Sequence, residues 1–405
     1  MTVDRDPACP GELPANTREE QSETRPAERR LRAERRAFDA LPPETWDALA
    51  AANPWSTPFA RWAFHRAWWD AYAGSAHDQT LVVVDPSDRS RGTVAIVPLM
   101  HRHAVEPTDA ATHTTMRHGS GAELTPVEPT AKAIFFGASY HADYATLLSA
   151  PGDLAAVAEA VADYLAAPES SDEDHPTPWD VVDLRRLRCG DPAADELSAA
   201  FGRREIRAGW TLNVEREDVC PVLTLPPVTT FDDYLATLGK KNRHEIRRKL
   251  RRAEAAGEAR LDDSPDPVGD LEAFATLHQK RWGAEGLFPP TPGGAASRIF
   301  FARLLELLGA DGTARLTFLT VGGRRVAAGV HFETDEGYLY YNAGVDPDAS
   351  DLSPGVVMVA RYIQRAIAAG KRRLDFLRGD ESYKYAWGAV DEPLQRILVR
   401  RRVTA

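Results

Sequence analysis

The clearest pattern lies in the second half of the chain, where apolar and polar residues alternate with a period of two. "ARLTFLTV" (314–321) reads as a strand, Gly322-Gly323 as a two-residue hairpin turn, and "RRVAAGVHFET" as the returning partner. "GYLYYNAG" (337–344) predicts a third strand. The period then changes. In "VVMVARYIQRAIAAG" the residues Val356, Val359, Ala360, Ile363 and Ile367 fall on one stripe of a helix that Gly370 closes. "RRLDFL" and "LQRILVRR" (394–401) supply two further strands. Strand, polar loop ("VDPDASDLSPG"), helix and strand together make a crossover unit, the connection that parallel strands require.

The first half repeats that order in a weaker form. Strands are predicted at "LVVV" (81–84), "GTVAIVPL" (92–99) and "IFFG" (134–137), with an irregular polar stretch before the last. A helix near 153–166 and a strand "VVDL" (181–184) follow. "VVDLRRL" (181–187) against "RLDFLRG" (373–379) suggests an internal duplication, without the fixed short period of a solenoid. Between the halves, "TTFDDYLATLGKKNRHEIRRKLRRAEAAG" opens on a capping signature at Thr230 and is expected to continue as one long basic helix. Trp55, Phe59, Trp62, Phe64, Trp68 and Trp69 recur at mixed helical spacings and are expected in the core. The reading divides the chain into a tail (1–37), an N-terminal domain (38–225) and a C-terminal domain (226–405). The tail is rich in Arg, Glu, Pro and Thr, and its few large apolar residues cannot offset the entropy of ordering.

Composition narrows the function. The 405 residues carry 43% hydrophobic and 27% charged side chains with a net charge of −11, which argues against a dedicated nucleic-acid binder. Cys9, Cys189 and Cys220 lie far apart without CxxC spacing, so neither a disulfide framework nor a cysteine zinc site is indicated. "HRH" (101–103) places two imidazoles on one side of a strand, but no third ligand accompanies them and no metal site is assigned. With no apolar run of membrane-spanning length and no signal-peptide core, a cytoplasmic protein is expected.

The candidate chemistry sits at the opening of the crossover helix. Ser353 suits the N-cap, Pro354 the first helical position, and Gly355 and Val356 expose backbone N–H groups to a phosphate. The run "NAGVDPDASDLSPGVVMVARYIQRAIAAGKRRLDFLRGDESYKYAWG" resembles the C-terminal signature of the CelD-like acetyltransferases, a GNAT-type group associated with polysaccharide biosynthesis. It is more distantly similar to the Fem aminoacyltransferases. The resemblance extends to "LGKKNRHEIRRKLRRAEAAG", "LHQKRWGAEG" and "VGGRRVAAGVHFE", and its most specific element is Asp375, Arg378, Gly379, Tyr383 and Lys384 in that order. It implies an α/β (α+β) fold of tandem GNAT-like domains, with mixed central sheets flanked by helices. It also implies acetyl-CoA or another acyl-CoA as donor, its pyrophosphate on Ser353, Pro354, Gly355 and Val356 and its pantetheine arm between strands 337–344 and 372–378. The sequence shows "DLSPGVVM" where the common GNAT phosphate loop has Q/R-x-x-G-x-G/A.

Around that donor the residues take candidate roles. Asp375 reads either as a base or as an ion-pair partner of Arg378 or Arg281, because a strand-interior charge needs a partner. Tyr383 reads as the acid for the leaving thiolate or as a packing ring. Arg378 and Lys384 suit an anionic acceptor, and Asp143 and Tyr144 of the first half are expected beside it, at the interface. Asp380 and Glu381 are read as caps of the short helical turn that follows them. The basic segment 240–252 suits a solvated face, an anionic membrane surface or, under a Fem-type reading, tRNA. The expected function is acyl transfer from acyl-CoA to an amine or hydroxyl of a small or glycan-type acceptor. The rivals are an aminoacyl-tRNA-dependent transferase and a non-catalytic CoA-binding scaffold.

Overall fold

The computed structural model describes residues 30–102, 124–172, 175–228, 230–283 and 286–402. His103, Cys9 and most of the polar stretch before residue 130 lie outside them. Among the described residues, nine strands belong to the first half: β1 Arg32–Arg35, β2 Ala76–Asp78, β3 Leu81–Val84, β4 Thr93–Val97, β5 Leu99–Arg102, β6 Ala133–Phe136, β7 Leu148–Ser149, β8 Val181–Arg188 and β9 Trp210–Thr224. Five α-helices among the described residues accompany them: α1 Pro43–Ala52, α2 Trp62–Tyr72, α3 Leu154–Ala166, α4 Pro192–Gly202 and α5 Glu205–Ala208. The second half holds α6 Phe231–Thr237, α7 Lys240–Ala256, β10 Ala259–Asp263, α8 Leu271–Trp282, α9 Pro292–Leu307, β11 Ala314–Val321, β12 Arg324–Glu333 and β13 Gly337–Val345. It ends with α10 Pro354–Ala368, β14 Arg373–Asp375, α11 Ser382–Tyr385 and β15 Val390–Arg401.

Most strands join one sheet in the order β10-β11-β12-β13-β14-β9-β15-β8-β6-β5-β2, and a smaller sheet runs β1-β3-β4-β7. The order at the centre carries the architecture. β9, the last strand of the first half, pairs with β14 of the second, and β15, the last strand of the second, pairs with β8 of the first. The two exchanged strands also pair with each other over all of β15, from Val390↔Val222 to Arg401↔Trp210. The halves are therefore interlocked through backbone hydrogen bonds. α2 packs on α9 across the same boundary, where Arg61 meets Asp311 at 2.6 Å and Arg303 meets Asp70 at 2.8 Å.

The predicted hairpin forms: Val321 faces Arg324, and Gly322 and Gly323 hold φ of 55° and 80°, as a primed two-residue turn demands. α10 buries Val357, Met358, Val359 and Ile363, each stabilising by about 1.5–3 kcal/mol. Phe59, Phe64, Trp68 and Trp69 are buried as expected, whereas Trp62 is half-buried and so is Trp55, with the Arg188 guanidinium 4.9 Å from its ring.

Two expectations change. The stretch 30–37 does not belong to a tail, since β1 pairs with β3 and Leu31 and Ala33 are buried; residues 1–29 lie outside the described residues. The long basic helix is two helices. Thr230 does cap α6, accepting from the Asp233 amide at 3.1 Å, but Leu238 and Gly239 adopt extended dihedrals and α7 starts afresh at Lys240.

Candidate active site

β13 and β14 run parallel for three residue pairs only: Gly337↔Arg373, Tyr338↔Leu374 and Leu339↔Asp375. Beyond them β13 continues to Val345, while the chain after Asp375 turns away through Leu377, which holds a positive φ of 55°, and Gly379 at 106°. β12 keeps hold of β13 across a bulge that makes Tyr341 the extra residue between Tyr340 and Asn342. The strands thus part in a wedge, and a cavity of about 310 Å³ fills it. Its walls include Tyr340, Tyr341 and Asn342 from β13, Phe376, Arg378 and Tyr383 from the diverging chain, Trp282 from α8, and His141, Asp143 and Asp218 from the first half.

Arg378 donates from Nε to Asp143 Oδ1 at 3.1 Å, and its two Nη atoms make no hydrogen bond among the described residues. Asp218 stands on the exchanged strand, beside Val219, whose carbonyl accepts from the Gly379 amide at 3.0 Å. Its Oδ1 accepts from the Val219 amide at 2.8 Å, and its Oδ2 has no partner among the described residues. Burial raises its pKa above the ordinary carboxylate value, with Arg378 opposing. His141 is buried, stacked on Phe300 at 4.0 Å between centroids; its Nε2 meets the Tyr72 hydroxyl at 2.8 Å and its carbonyl accepts from Tyr341 at 2.7 Å.

Several expected residues are placed differently. Asp375 is buried and does not line the cavity. It accepts from the Tyr144 hydroxyl at 2.8 Å, the Leu377 amide at 2.8 Å and Arg373 at 3.2 Å. Its ion-pair partner is thus Arg373, neither Arg378 nor Arg281, because residues two apart on a strand share a face. Burial raises its pKa, against the pull of Arg373. Lys384 does not offer its ammonium to an anion: Nζ donates to the carbonyls of Leu377, Arg378 and Gly379 at 3.1, 3.0 and 2.9 Å and pairs with Glu381 at 2.9 Å. It clamps the loop that carries Arg378. Glu381 occupies the N-cap position of α11 without capping it. Tyr144 is buried against Asp375, with Arg188 over its ring at 4.8 Å, and does not line the large cavity. Arg281 is exposed, its guanidinium 5.3 Å from the Trp282 ring, just outside the lining. Tyr383 stands on the cavity wall, two-fifths exposed (40%), its ring edge-on to Phe376.

At the opening of α10, Ser353 holds φ 52° and ψ 53° and its side chain caps nothing; its carbonyl instead accepts from the Val356 and Val357 amides at 3.0 and 3.2 Å. Pro354 is the first helical residue and has no N–H. The Gly355 amide has no partner among the described residues. A Cβ on Gly355 would meet only Val345, at 3.9 Å, so the position is open.

Residues 240–385 match the family model for the acetyltransferase (GNAT) domain. No curated protein matches the chain by sequence. Among solved structures, the crystal structure of FemX is 11% identical with a TM-score of 0.50, covering 88% of this chain and 96% of that one. L-PGS from Bacillus licheniformis is 10% identical with a TM-score of 0.48, covering 90% and 93%. A tandem GNAT protein from the clavulanic acid biosynthesis pathway is 12% identical with a TM-score of 0.45, covering 93% and 100%. The wedge, its crossover helix and most of the cavity wall lie within the matched segment. The chain is a mixed α/β protein whose residues 240–385 form a GNAT acetyltransferase domain, and it is an acyltransferase.

Proposed function

We propose that the protein transfers an acyl group from an acyl-CoA, acetyl-CoA first among them, directly to a small or glycan-type acceptor, as its resemblance to the CelD-like acetyltransferases implies. The observation that carries this reading is the wedge: two parallel strands that part after three pairs, with a cavity between them and the start of α10 beside Val345. The pyrophosphate sits on the Gly355 amide at the helix opening, where the partial positive charge stabilises an anion by about 0.3–1 kcal/mol. The pantetheine arm follows the edge of β13 that β14 leaves unpaired, and the thioester oxygen takes backbone N–H groups of that edge as its charge develops. Attack is direct, so donor and acceptor meet in the cavity. Tyr383, on the wall, protonates the departing thiolate. Arg378 faces the acceptor with its two free Nη atoms.

Calorimetric titration with acetyl-CoA, on wild type and on Gly355→Glu, tests the reading. Because the position is open, the variant keeps the fold while its carboxylate repels the pyrophosphate. Saturable binding that disappears in the variant is expected. No binding of any acyl-CoA by the wild type overturns the reading.

A second reading has its own observations: the overall likeness to FemX and the charge of α7, eight Lys and Arg against two Glu in a chain of net charge −11. Lys241, His244, Arg248 and Arg251 form an exposed stripe of α7, and Arg252 donates to the Asp351 carbonyl beside the α10 opening. The stripe suits a polyanion such as charged tRNA or an anionic membrane surface. Transfer strictly dependent on aminoacyl-tRNA decides for the Fem-type reaction.

A further inference from the structure

We propose that the outer edge of β10 is a pairing surface for a second copy of the chain, held shut in the monomer by Arg361 and Arg365 of α10. β10 is the last strand at its end of the main sheet and pairs with β11 on one side only. Successive residues of an antiparallel strand send their backbone groups to opposite edges. The Glu258 carbonyl accepts from the Gly322 amide and the Ser264 amide donates to the Leu316 carbonyl, so the even-numbered positions serve β11. The backbone groups of Ala259, Leu261 and Asp263 therefore face away from the sheet, where an edge strand invites another.

Two carbonyls of that edge are already taken. Arg361 donates from Nε to the Ala259 carbonyl at 3.1 Å, and Arg365 from Nη2 to the Leu261 carbonyl at 3.2 Å. The spacings match: residues two apart on a strand are separated by about 6.4–6.8 Å, and residues four apart on a helix by about 6 Å. The two guanidinium groups thus stand where the N–H groups of a neighbouring strand would stand. Each is anchored by a carboxylate, Arg361 by Glu254 of α7 and Arg365 by Asp263 at 2.7 Å. At the other end of the sheet β2 spans only three residues, Ala76–Asp78, too short to recruit a partner.

The order of charges along β10 selects the occupant. The strand reads Ala-Arg-Leu-Asp-Asp, with Arg260, Asp262 and Asp263 exposed and Arg260 paired to Asp262 at 3.3 Å in the monomer. Two copies paired antiparallel about Leu261 set each Arg260 opposite an Asp262 across a two-fold axis. Leu261 then exchanges both backbone bonds with its counterpart, and Ala259 does so with Asp263. The carbonyls this needs are those that Arg361 and Arg365 hold. Parallel pairing in register would instead oppose Arg260 with Arg260 and Asp262 with Asp262.

Sedimentation equilibrium of the full chain tests the proposal on wild type, Arg361→Ala, Arg365→Ala and the double variant, with circular dichroism to establish that each is folded. Wild type is expected to be monomeric where the double variant is dimeric, with an association constant higher by at least about tenfold in the double variant and each single variant between them. Hydrogen exchange should show new protection in the double variant confined to residues 259–263. Adding Asp262→Arg opposes like charges and should return the monomer; adding Arg260→Asp as well should restore the dimer. A folded double variant as monomeric as wild type, protection elsewhere than β10, a dimer indifferent to Asp262→Arg, or a wild type already paired through β10 each overturns the proposal. Where the double variant does not fold, the single variants decide on the same terms.

Discussion

The two halves build the same wedge and treat it in opposite ways. In the first, β6 and β8 run parallel for three pairs, Ala133↔Val181, Ile134↔Val182 and Phe135↔Asp183; in the second, β13 and β14 do so from Gly337↔Arg373 to Leu339↔Asp375. Each series ends on an aspartate opposite an apolar residue, and each aspartate is neutralised by arginine, Asp183 by Arg396 at 2.6 and 2.7 Å and Asp375 by Arg373. Beyond that point they diverge. In the first half the chain itself closes the gap: Ala145 bridges Leu187, its amide donates to the Arg186 carbonyl at 2.9 Å, and Asn53 holds Thr146 and the Leu147 carbonyl at 3.1 and 2.7 Å. The cavity there measures about 20 Å³, against about 310 Å³ in the second half. The frame is common to both, and the room for a ligand depends on what the chain after the wedge does.

That contrast is open to disruption at four positions. The largest effect is expected at Lys384, where Lys384→Met strands three carbonyls of the loop that opens the second wedge; a loss of about 2–4 kcal/mol should appear in urea unfolding. Tyr144→Phe removes a hydrogen bond to the Asp375 carboxylate across the halves and should cost about 1.5–3 kcal/mol by the same measurement. Asn53→Ala loosens the plug of the first wedge, costing about 1–2 kcal/mol in unfolding while leaving the acetyl-CoA Kd unchanged. The smallest effect has the opposite sign. Burial raises the Asp218 pKa, so its contribution favours the folded state below the unfolded pKa and is lost as pH rises through the folded one. Asp218→Asn should therefore melt above wild type at pH 7.5, by about 1 kcal/mol or less, with the gap closing as pH falls toward about 4.

The sequence exposes those parts of this design that depend on local rules. The Gly322-Gly323 turn, Pro354 at the start of α10 and the wedge strands themselves follow from period and turn chemistry. The strand exchange does not, because alternation says which face of a strand is buried and nothing about its neighbour. β9 itself is obscured: its first half, "WTLNVERE", is largely polar and half-exposed, and only its pairing with β15 makes it a strand. Asp218 lies on that strand, and no local pattern marks it. The partner of Asp375 was legible, since Arg373 stands two residues before it on the same face. The inversion of Lys384 was not, because the left-handed Leu377 and Gly379 turn three carbonyls toward it and no local pattern marks such a turn.

The most direct test of the account is the stoichiometry of acetyl-CoA binding to the full chain at equilibrium. One site per chain, unaffected by Asn53→Ala and lost in Gly355→Glu, is predicted, because one wedge is open and the other is filled by Ala145 and its neighbours. Two sites per chain, or one that survives Gly355→Glu, would contradict it.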